Sequence, residues 1–173
     1  MTELRRPEAL DTSRHDRTTF NSGEPDLDEW LRRYAGQNRR RDTAATWVIS
    51  DTQDRVVAFA SIAMTGVDRS TAPAELTARA PDPVPALLIG RLAVDQSVSG
   101  RGVATALVAH VLATAVELNE RAACKAIVAT ALNPSARQWW THLGFHPFDP
   151  ADPDNYDLYL LTAEVEATLR SIR

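Results

Sequence analysis

At 173 residues, 44% hydrophobic and 24% charged, the chain has the composition of a globular protein of one domain with room for a full core, which excludes extended disorder. Its single cysteine, Cys124, excludes an internal disulfide. No charged start followed by an apolar run of signal or membrane length is read, so the expectation is a cytoplasmic protein with no membrane partner. A formal net charge of −4 excludes indiscriminate nucleic-acid binding and leaves room for a local basic face.

Met1 to Asp16 is polar and charge-dense without periodicity and reads as an extended lead-in strand or a loose end. From Phe20 a glycine turn leads to Pro25, Asp26 and Asp28 at a helix start, and Leu27, Trp30, Leu31, Tyr34 and Ala35 fall on one face. The other face and the residues after it carry Arg32, Arg33, Arg39, Arg40 and Arg41. Such a run is either a solvated face with a basic loop or a footprint for a phosphate backbone. The apolar runs ATWVIS and RVVAFASIAM, split at Asp51 to Asp54, predict an antiparallel hairpin with Trp47 and Phe59 in the core. Asp68 to Pro85, rich in Ala and Pro, reads as a long surface connection beside the substrate entrance, with room for one helical turn.

The central stretch runs from Pro85 to Glu117. An apolar strand ends at Leu92, Ala93, Val94 and Asp95, a polar turn comes next, and Gly100 and Gly102 precede a helix with Ala104, Leu107, Val108, Val111, Leu112 and Ala115 at spacings of three and four. A glycine turn between strand and helix points the helix's first free amides at one spot, where the helix dipole favours negative charge. The expected guest is a phosphate group. A dinucleotide fingerprint requires a third glycine where Thr105 stands, and a P-loop requires a Lys followed by Ser or Thr, so both nucleotide motifs fit poorly.

Lys125 to Ala131 predicts a short buried strand. Asn133 and Pro134 provide a cap and first position for a helix from Ser135 to Leu143, closed by Gly144. Phe145 to Tyr156 is a turn region, Asp157 to Leu161 a last strand, and Thr162 starts a C-terminal helix. His142 and His146 stand either side of the helix-ending Gly144 with no third ligand near in sequence, so no metal site is expected. His110 is placed on the outer face of the central helix, and Cys124 reads as a small hydrophobe.

The segment Leu92 to Ala104 resembles the acetyl-CoA motif of the GNAT superfamily of N-acetyltransferases, whose turn has the form Gln/Arg, x, x, Gly, x, Gly/Ala. Here it falls on Ser99, Gly100, Arg101, Gly102, Val103 and Ala104, and Ser99 departs from the usual first residue. Asn133, Ala136, Gly144 and Phe145 match the later motif of the same superfamily. More narrowly, Phe20, Ser22, Gly23, Leu27, Asp28, Trp30, Leu31 and Ala35, with Gly90 to Asp95 reading GRLAVD, resemble the GNAT-type toxins of bacterial toxin-antitoxin pairs. The resemblance implies one GNAT domain over residues 1–173, an α/β fold with a mixed, mostly antiparallel central sheet with splayed strands, flanked by helices. It implies acetyl-CoA held by Leu92, Ala93, Val94, Ser99, Gly100, Arg101, Gly102, Val103, Ala104, Thr105, Asn133, Ala136 and Trp140. It also implies the α-amine of aminoacyl-tRNA as acceptor, a ribbon-helix-helix antitoxin as partner, and a homodimer.

In the implied mechanism a neutral amine attacks the thioester, whose carbonyl is polarised by the backbone amide of Val94. Relatives place a tyrosine four residues after the alanine of the last motif to protonate the leaving thiolate; here Ala136 is followed at that distance by Trp140. Indole has no proton to give near neutral pH. Trp140 then walls the acetyl slot, and a thiol with a pKa near about 8.5 leaves without help, more slowly. At pH 7 a lysine with a pKa of about 10.4 costs about 4.6 kcal/mol to deprotonate, and an α-amine near 7.8 costs about 1 kcal/mol, which favours an already acidic amine. Arg91, odd in a buried strand, reaches either into the acceptor cleft or to an ion pair. The alternatives are an acetyltransferase of a small-molecule or protein amine, with the arginines merely solvated, and a CoA-binding protein with little turnover because of Trp140.

Overall fold

The computed structural model describes residues 1–172. Its strands are β1 (Glu8–Ala9), β2 (Ala45–Ser50), β3 (Val56–Val67), β4 (Val84–Val94), β5 (Ala126–Thr130), β6 (His146–Pro147) and β7 (Asp157–Leu161). They form one mixed sheet in the order β1-β2-β3-β4-β5-β7-β6. Pairing is antiparallel for β1 with β2, β2 with β3, β5 with β7 and β6 with β7, and parallel for β4 with β5. The flanking helices are α1 (Pro25–Glu29), α2 (Ala35–Arg40), α3 (Ala74–Thr77), α4 (Val103–Arg121), α5 (Pro134–Leu143) and α6 (Val165–Ser171). The chain divides into two compact units, Met1–Ala63 with Gly90–His110, and Met64–Ile89 with the chain from Val111 onward.

In the first unit the expected hairpin forms because Asp51 closes it. The buried Asp51 carboxylate accepts from the N–H groups of Gln53 (2.8 Å) and Arg55 (3.0 Å) and pairs with the Arg55 guanidinium at 2.9 Å. Burial opposes ionisation of Asp51, but those N–H groups and that cation hold its carboxyl below the usual range. Phe59 is fully buried among Phe20, Trp30, Leu31, Ala35, Val48, Val56 and Ala93. Trp47 is only half-buried; it lies opposite Ala9 of β1, a strand of two residues at the edge of the sheet.

The helix expected after Pro25 forms, but not as one α-helix. Between α1 and α2, Trp30–Tyr34 is a π-helical turn in which the N–H of Ala35 reaches back to the carbonyl of Trp30. The wider turn swings Tyr34 off the apolar face, leaving it 43% exposed. It also sets the Trp30 ring parallel to Phe59, 5.9 Å between centroids and 12° apart.

The lead-in is tied down rather than loose. The N–H of Arg5 donates to Ser50 at 2.8 Å, Arg14 bridges Glu8 (2.6 Å) and Asp54 (2.7 Å), and Glu8 also meets His15 Nε2 at 2.7 Å. The Arg14 hydrogen bond, then that of His15, holds the Glu8 carboxyl below its ordinary value. A carboxylate with a depressed folded-state pKa stabilises the fold above the unfolded pKa, and that contribution is lost as pH falls through the folded value. Glu8→Gln is therefore expected to lower the urea midpoint at pH 7 and to cost progressively less as the pH is taken down through and below the ordinary carboxylate range, where the wild-type carboxylate protonates too. Parallel denaturation series from pH 3 to 7 measure this.

In the second unit β5 carries the ladder, pairing Ala86–Ile89 of β4 with Ala126–Ala129 and running antiparallel to β7. α5 ends where the sequence predicts, at Gly144 with φ +117°. The connection 68–85 is less superficial than expected, since Leu76 of α3 is fully buried against Val84, Ala86, Ala126, Val128 and Tyr159. α4 is long and apolar enough to cross a membrane by length and composition. Its Leu107, Val108, Val111, Leu112 and Ala115 are nevertheless fully buried, as in a core helix. His110 on α4 does not face outward: its ring packs on Trp47 at 4.4 Å.

Candidate active site

The first unit contains the glycine turn and the end of β4. Asp95, just past Val94, fixes the chain leaving the strand: one carboxylate oxygen accepts from Ser97 N–H (2.9 Å) and the other from Asn21 N–H (2.8 Å). Gln96 N–H donates to the Asn21 carbonyl at 2.9 Å, so the loop before α1 is stitched to the loop after β4. The loop before α1 is held from its other side by buried Asp28, which accepts from the backbone and hydroxyl of Ser22. Val98, 3% exposed, anchors the single helical turn Gln96–Val98.

Beyond that anchor the chain opens. Gly100 (φ +78°) and Gly102 (φ +73°) are left-handed, a conformation costly for any residue with a Cβ, and a Cβ built at either position meets no protein atom within 4 Å. The Gly102 carbonyl accepts from Ala106 N–H at 3.1 Å, which starts α4. Among the described residues, the N–H groups of Gly102, Val103, Ala104 and Thr105 find no backbone acceptor, as geometry requires of a helix's first turn. Ser99 is different, because its N–H donates to Gln96 at 3.3 Å and is spent within the turn. An open glycine cradle backed by four unclaimed amides fits a diphosphate.

Sequence reasoning missed the residues that border this cradle. Arg5 and Arg6 line a cavity of about 270 Å³ together with Arg101, Gly102, Val103 and Ala106. Arg101 reaches the Thr2 carbonyl at 2.9 Å, and Arg5 pairs with Asp54 at 2.9 Å. No periodicity marks Arg5 or Arg6, since only the pairing of residues 4–5 with 50–51 brings them here.

Arg91 of β4 makes no ion pair among the described residues. Its guanidinium lies 4.3 Å over the Trp30 ring, which also stacks parallel to Phe59. The group is half-buried, and that burial lowers its pKa from the ordinary arginine value. A desolvated cation held by a ring and met by no carboxylate is suited to an anionic ligand. The arginine run divides: Arg32 donates to the Phe20 carbonyl (3.0 Å), Arg33 pairs with Glu29 (3.2 Å) and Arg39 with Asp42 (2.8 Å). Arg40 and Arg41 have no carboxylate partner among the described residues.

In the second unit, α5 carries the remaining candidates. The Asn133 side chain accepts from Ala136 N–H at 2.8 Å, so its visible role is that of an N-cap. Asn133→Ala is expected to cost about 1 kcal/mol and Asn133→Asp almost nothing, read from thermal melts. Trp140 is 5% exposed, edge-on to Phe145 (4.8 Å) and to Trp139 (5.1 Å). Trp139 is half-buried and borders an open groove of about 1120 Å³ with Tyr156 and Arg137. His146 pairs with Glu164 at 2.9 Å, while His142 is exposed on α5. Cys124 is buried, and that burial pushes its thiol up, away from a reactive thiolate.

Residues 8–145 match the acetyltransferase (GNAT) family, and the chain belongs to that family of acetyl-transferring enzymes. It is similar to the tRNA-acetylating toxin of Mycobacterium tuberculosis (strain ATCC 25618 / H37Rv), with 34% identity over 154 residues, 89% of this chain and 90% of that protein. Among solved structures it shares the fold of AtaT complexed with acetyl-methionyl-tRNAfMet, at a TM-score of 0.85, 22% identity, and coverage of 95% of this chain and 98% of that one. A tyrosine-to-phenylalanine mutant of KacT gives a TM-score of 0.86 at 24% identity, with the same coverage. AtaTR bound with AcCoA gives 0.80 at 22%, covering 95% of this chain and 96% of that one.

Proposed function

We propose that the chain acts as one acetyltransferase domain that moves the acetyl group of acetyl-CoA to the α-amine of aminoacyl-tRNA, as a cytoplasmic toxin. The observation that supports this most is the 34% identity, across nearly the whole chain, to a tRNA-acetylating toxin. By the same relationship, a ribbon-helix-helix antitoxin is the expected partner and a homodimer the expected state; a tyrosine-to-phenylalanine mutant of the toxin AtaT, which shares this fold, has been solved bound to the C-terminus of the antitoxin AtaR.

When bound, acetyl-CoA supplies an activated thioester. The chain's residues do the rest: the amides of Gly102 to Thr105 hold the diphosphate, with Gly100 and Gly102 leaving room for it. Leu92, Ala93 and Val94 line the pantetheine arm, and the Val94 N–H polarises the carbonyl. Arg91 receives an anionic group of the acceptor. Asn133 caps the helix that carries Ala136 and Trp140. The attacking amine forms the amide bond as the carbon–sulfur bond breaks, and with Trp140 in place the thiolate takes its proton from the substrate's ammonium or from water.

Two measurements test this reading. Charged tRNA is expected to be acetylated and free amines hardly at all; replacing Arg39, Arg40 and Arg41 with Glu should remove activity on tRNA. An unchanged rate in that triple variant, with free amines acetylated equally well, favours the small-amine alternative. Trp140→Tyr restores a phenolic acid and is expected to raise kcat about tenfold, equivalent to about 1.4 kcal/mol in the barrier. Binding of acetyl-CoA without turnover in either protein would leave a CoA-binding role.

A further inference from the structure

Between α2 and the strands β1 and β2 lies a second cavity, of about 340 Å³, bordered by Ala9, Leu10, Gly36, Arg40, Thr46 and Trp47. We propose that it is a nucleotide pocket, taking the base of one unstacked nucleotide against its apolar wall and the adjoining phosphate at Arg40. This rests on the reading of charged tRNA as the acceptor.

Three observations converge on such a ligand. Thr46 is 4% exposed, and its Oγ1 is buried with no hydrogen-bond partner, a state uncommon in native proteins and one that a ligand's hydrogen-bonding edge would relieve. At the rim, exposed Arg40 has no carboxylate partner among the described residues, whereas neighbouring Arg39 is held by Asp42. Gly36 lets the Arg40 guanidinium lie close at the cavity's edge: a Cβ there would meet Arg40 Nη1 at 3.3 Å and Thr12 Cγ2 at 3.0 Å, so a larger residue would have to displace them. The volume lies in the range of small-ligand sites, which combine apolar walls with a few placed polar groups.

The combination discriminates among ligands. A bare phosphate leaves the apolar wall unused, and an aliphatic chain leaves both the hydroxyl and the guanidinium unmet. A nucleotide offers a flat apolar ring with a hydrogen-bonding edge and, a few ångströms away, a negative charge. Unstacked bases of single-stranded RNA are recognised in this way, by apolar contact, edge hydrogen bonds and arginine. A free mononucleotide presents the same chemistry, so the experiment must separate the two sources.

The test uses the full chain and the variants Thr46→Val, Arg40→Gln and Ala9→Phe, with Arg170→Gln on α6 as control. Thr46→Val keeps the shape and removes the hydroxyl; it is expected to raise KM for charged tRNA five- to tenfold with kcat unchanged and the salt dependence unaltered. Arg40→Gln should raise KM and flatten the slope of log KM against log salt by about 0.7, the loss of one single-strand phosphate contact. Ala9→Phe fills the cavity and should reproduce the KM effect, while Arg170→Gln changes nothing. Uncharged tRNA should shift the Thr46 methyl resonance in the wild type. If AMP or CMP shifts that methyl while tRNA KM is the same in every variant, the pocket serves free mononucleotides and the RNA assignment is overturned. If tRNA, AMP and CMP all leave the methyl unmoved and KM is unaffected, the pocket proposal fails altogether. Failure of the wild type to acetylate any charged tRNA would instead strike the acceptor assignment, with the nucleotide titration still judging the pocket.

Discussion

Replacing Gly102 with valine is expected to abolish acetyl-CoA binding while the chain stays folded. Gly102 sits at φ +73°, and a Cβ there meets no protein atom within 4 Å, so the substitution clashes with nothing in the protein. The folded state bears only the left-handed strain of a residue with a Cβ, about 1–2 kcal/mol. For a chain of this size each kcal/mol is about 2–4 °C in Tm, so the melt should fall by only a few degrees. The ligand fares worse, because the isopropyl group enters the open space at the start of α4, beside the amides of Gly102 to Thr105. A loss of at least a hundredfold in acetyl-CoA affinity is expected, about 2.7 kcal/mol. Gly102→Ala should fall between, with similar backbone strain and a smaller intrusion. Calorimetric titration with acetyl-CoA, beside a thermal melt of each variant, separates the two effects. Binding retained by the valine variant would remove the diphosphate from this turn.

What the sequence made legible was whatever local chemistry decides. Asn133, Pro134 and Gly144 mark the limits of α5, and Asp157–Leu161 has the strand bounds expected, because caps, positive-φ glycines and apolar runs act over a few residues. The π-helical turn was not legible. Apolar residues at spacings of three and four suit an α-helix whether or not one turn is widened, and only the demand that Trp30 stack on Phe59 distinguishes them. Trp47 and Leu76 exchange their expected roles for a similar reason: hydrophobicity predicts a wish to be buried, and which neighbour supplies the cover depends on pairings distant in sequence. In the candidate site the glycine turn was visible as a motif. The loss of the Ser99 amide to Gln96 and the arrival of Arg5 and Arg6 beside Gly102 were visible only in three dimensions.

Arg91 shows the same limit, and it carries the second large effect. Its sequence context left a choice between an acceptor-facing cation and a structural ion pair; in the fold its contact is an aromatic ring on the π-helical turn. For the protein alone, Arg91→Met removes a cation that burial disfavours and keeps most of the aliphatic packing. It gives up a cation–π contact of about 0.5–2 kcal/mol against the relief of desolvation, so stability should hardly change. For catalysis the outcome differs. A charge-assisted hydrogen bond from arginine to an anion contributes about 1.5–3 kcal/mol, which corresponds to a rise in KM for charged tRNA of roughly ten- to a hundredfold. Acetyl-CoA affinity should hold, because the amides of α4 are untouched. Arg91→Lys is expected to recover little, since an ammonium neither stacks on Trp30 as a plane nor presents a fork to a phosphate. The opposite pattern, a marked drop in Tm with KM unaltered, would make Arg91 a core residue whose charge is incidental, and the anionic part of the acceptor would have to be sought at Arg40 and Arg41.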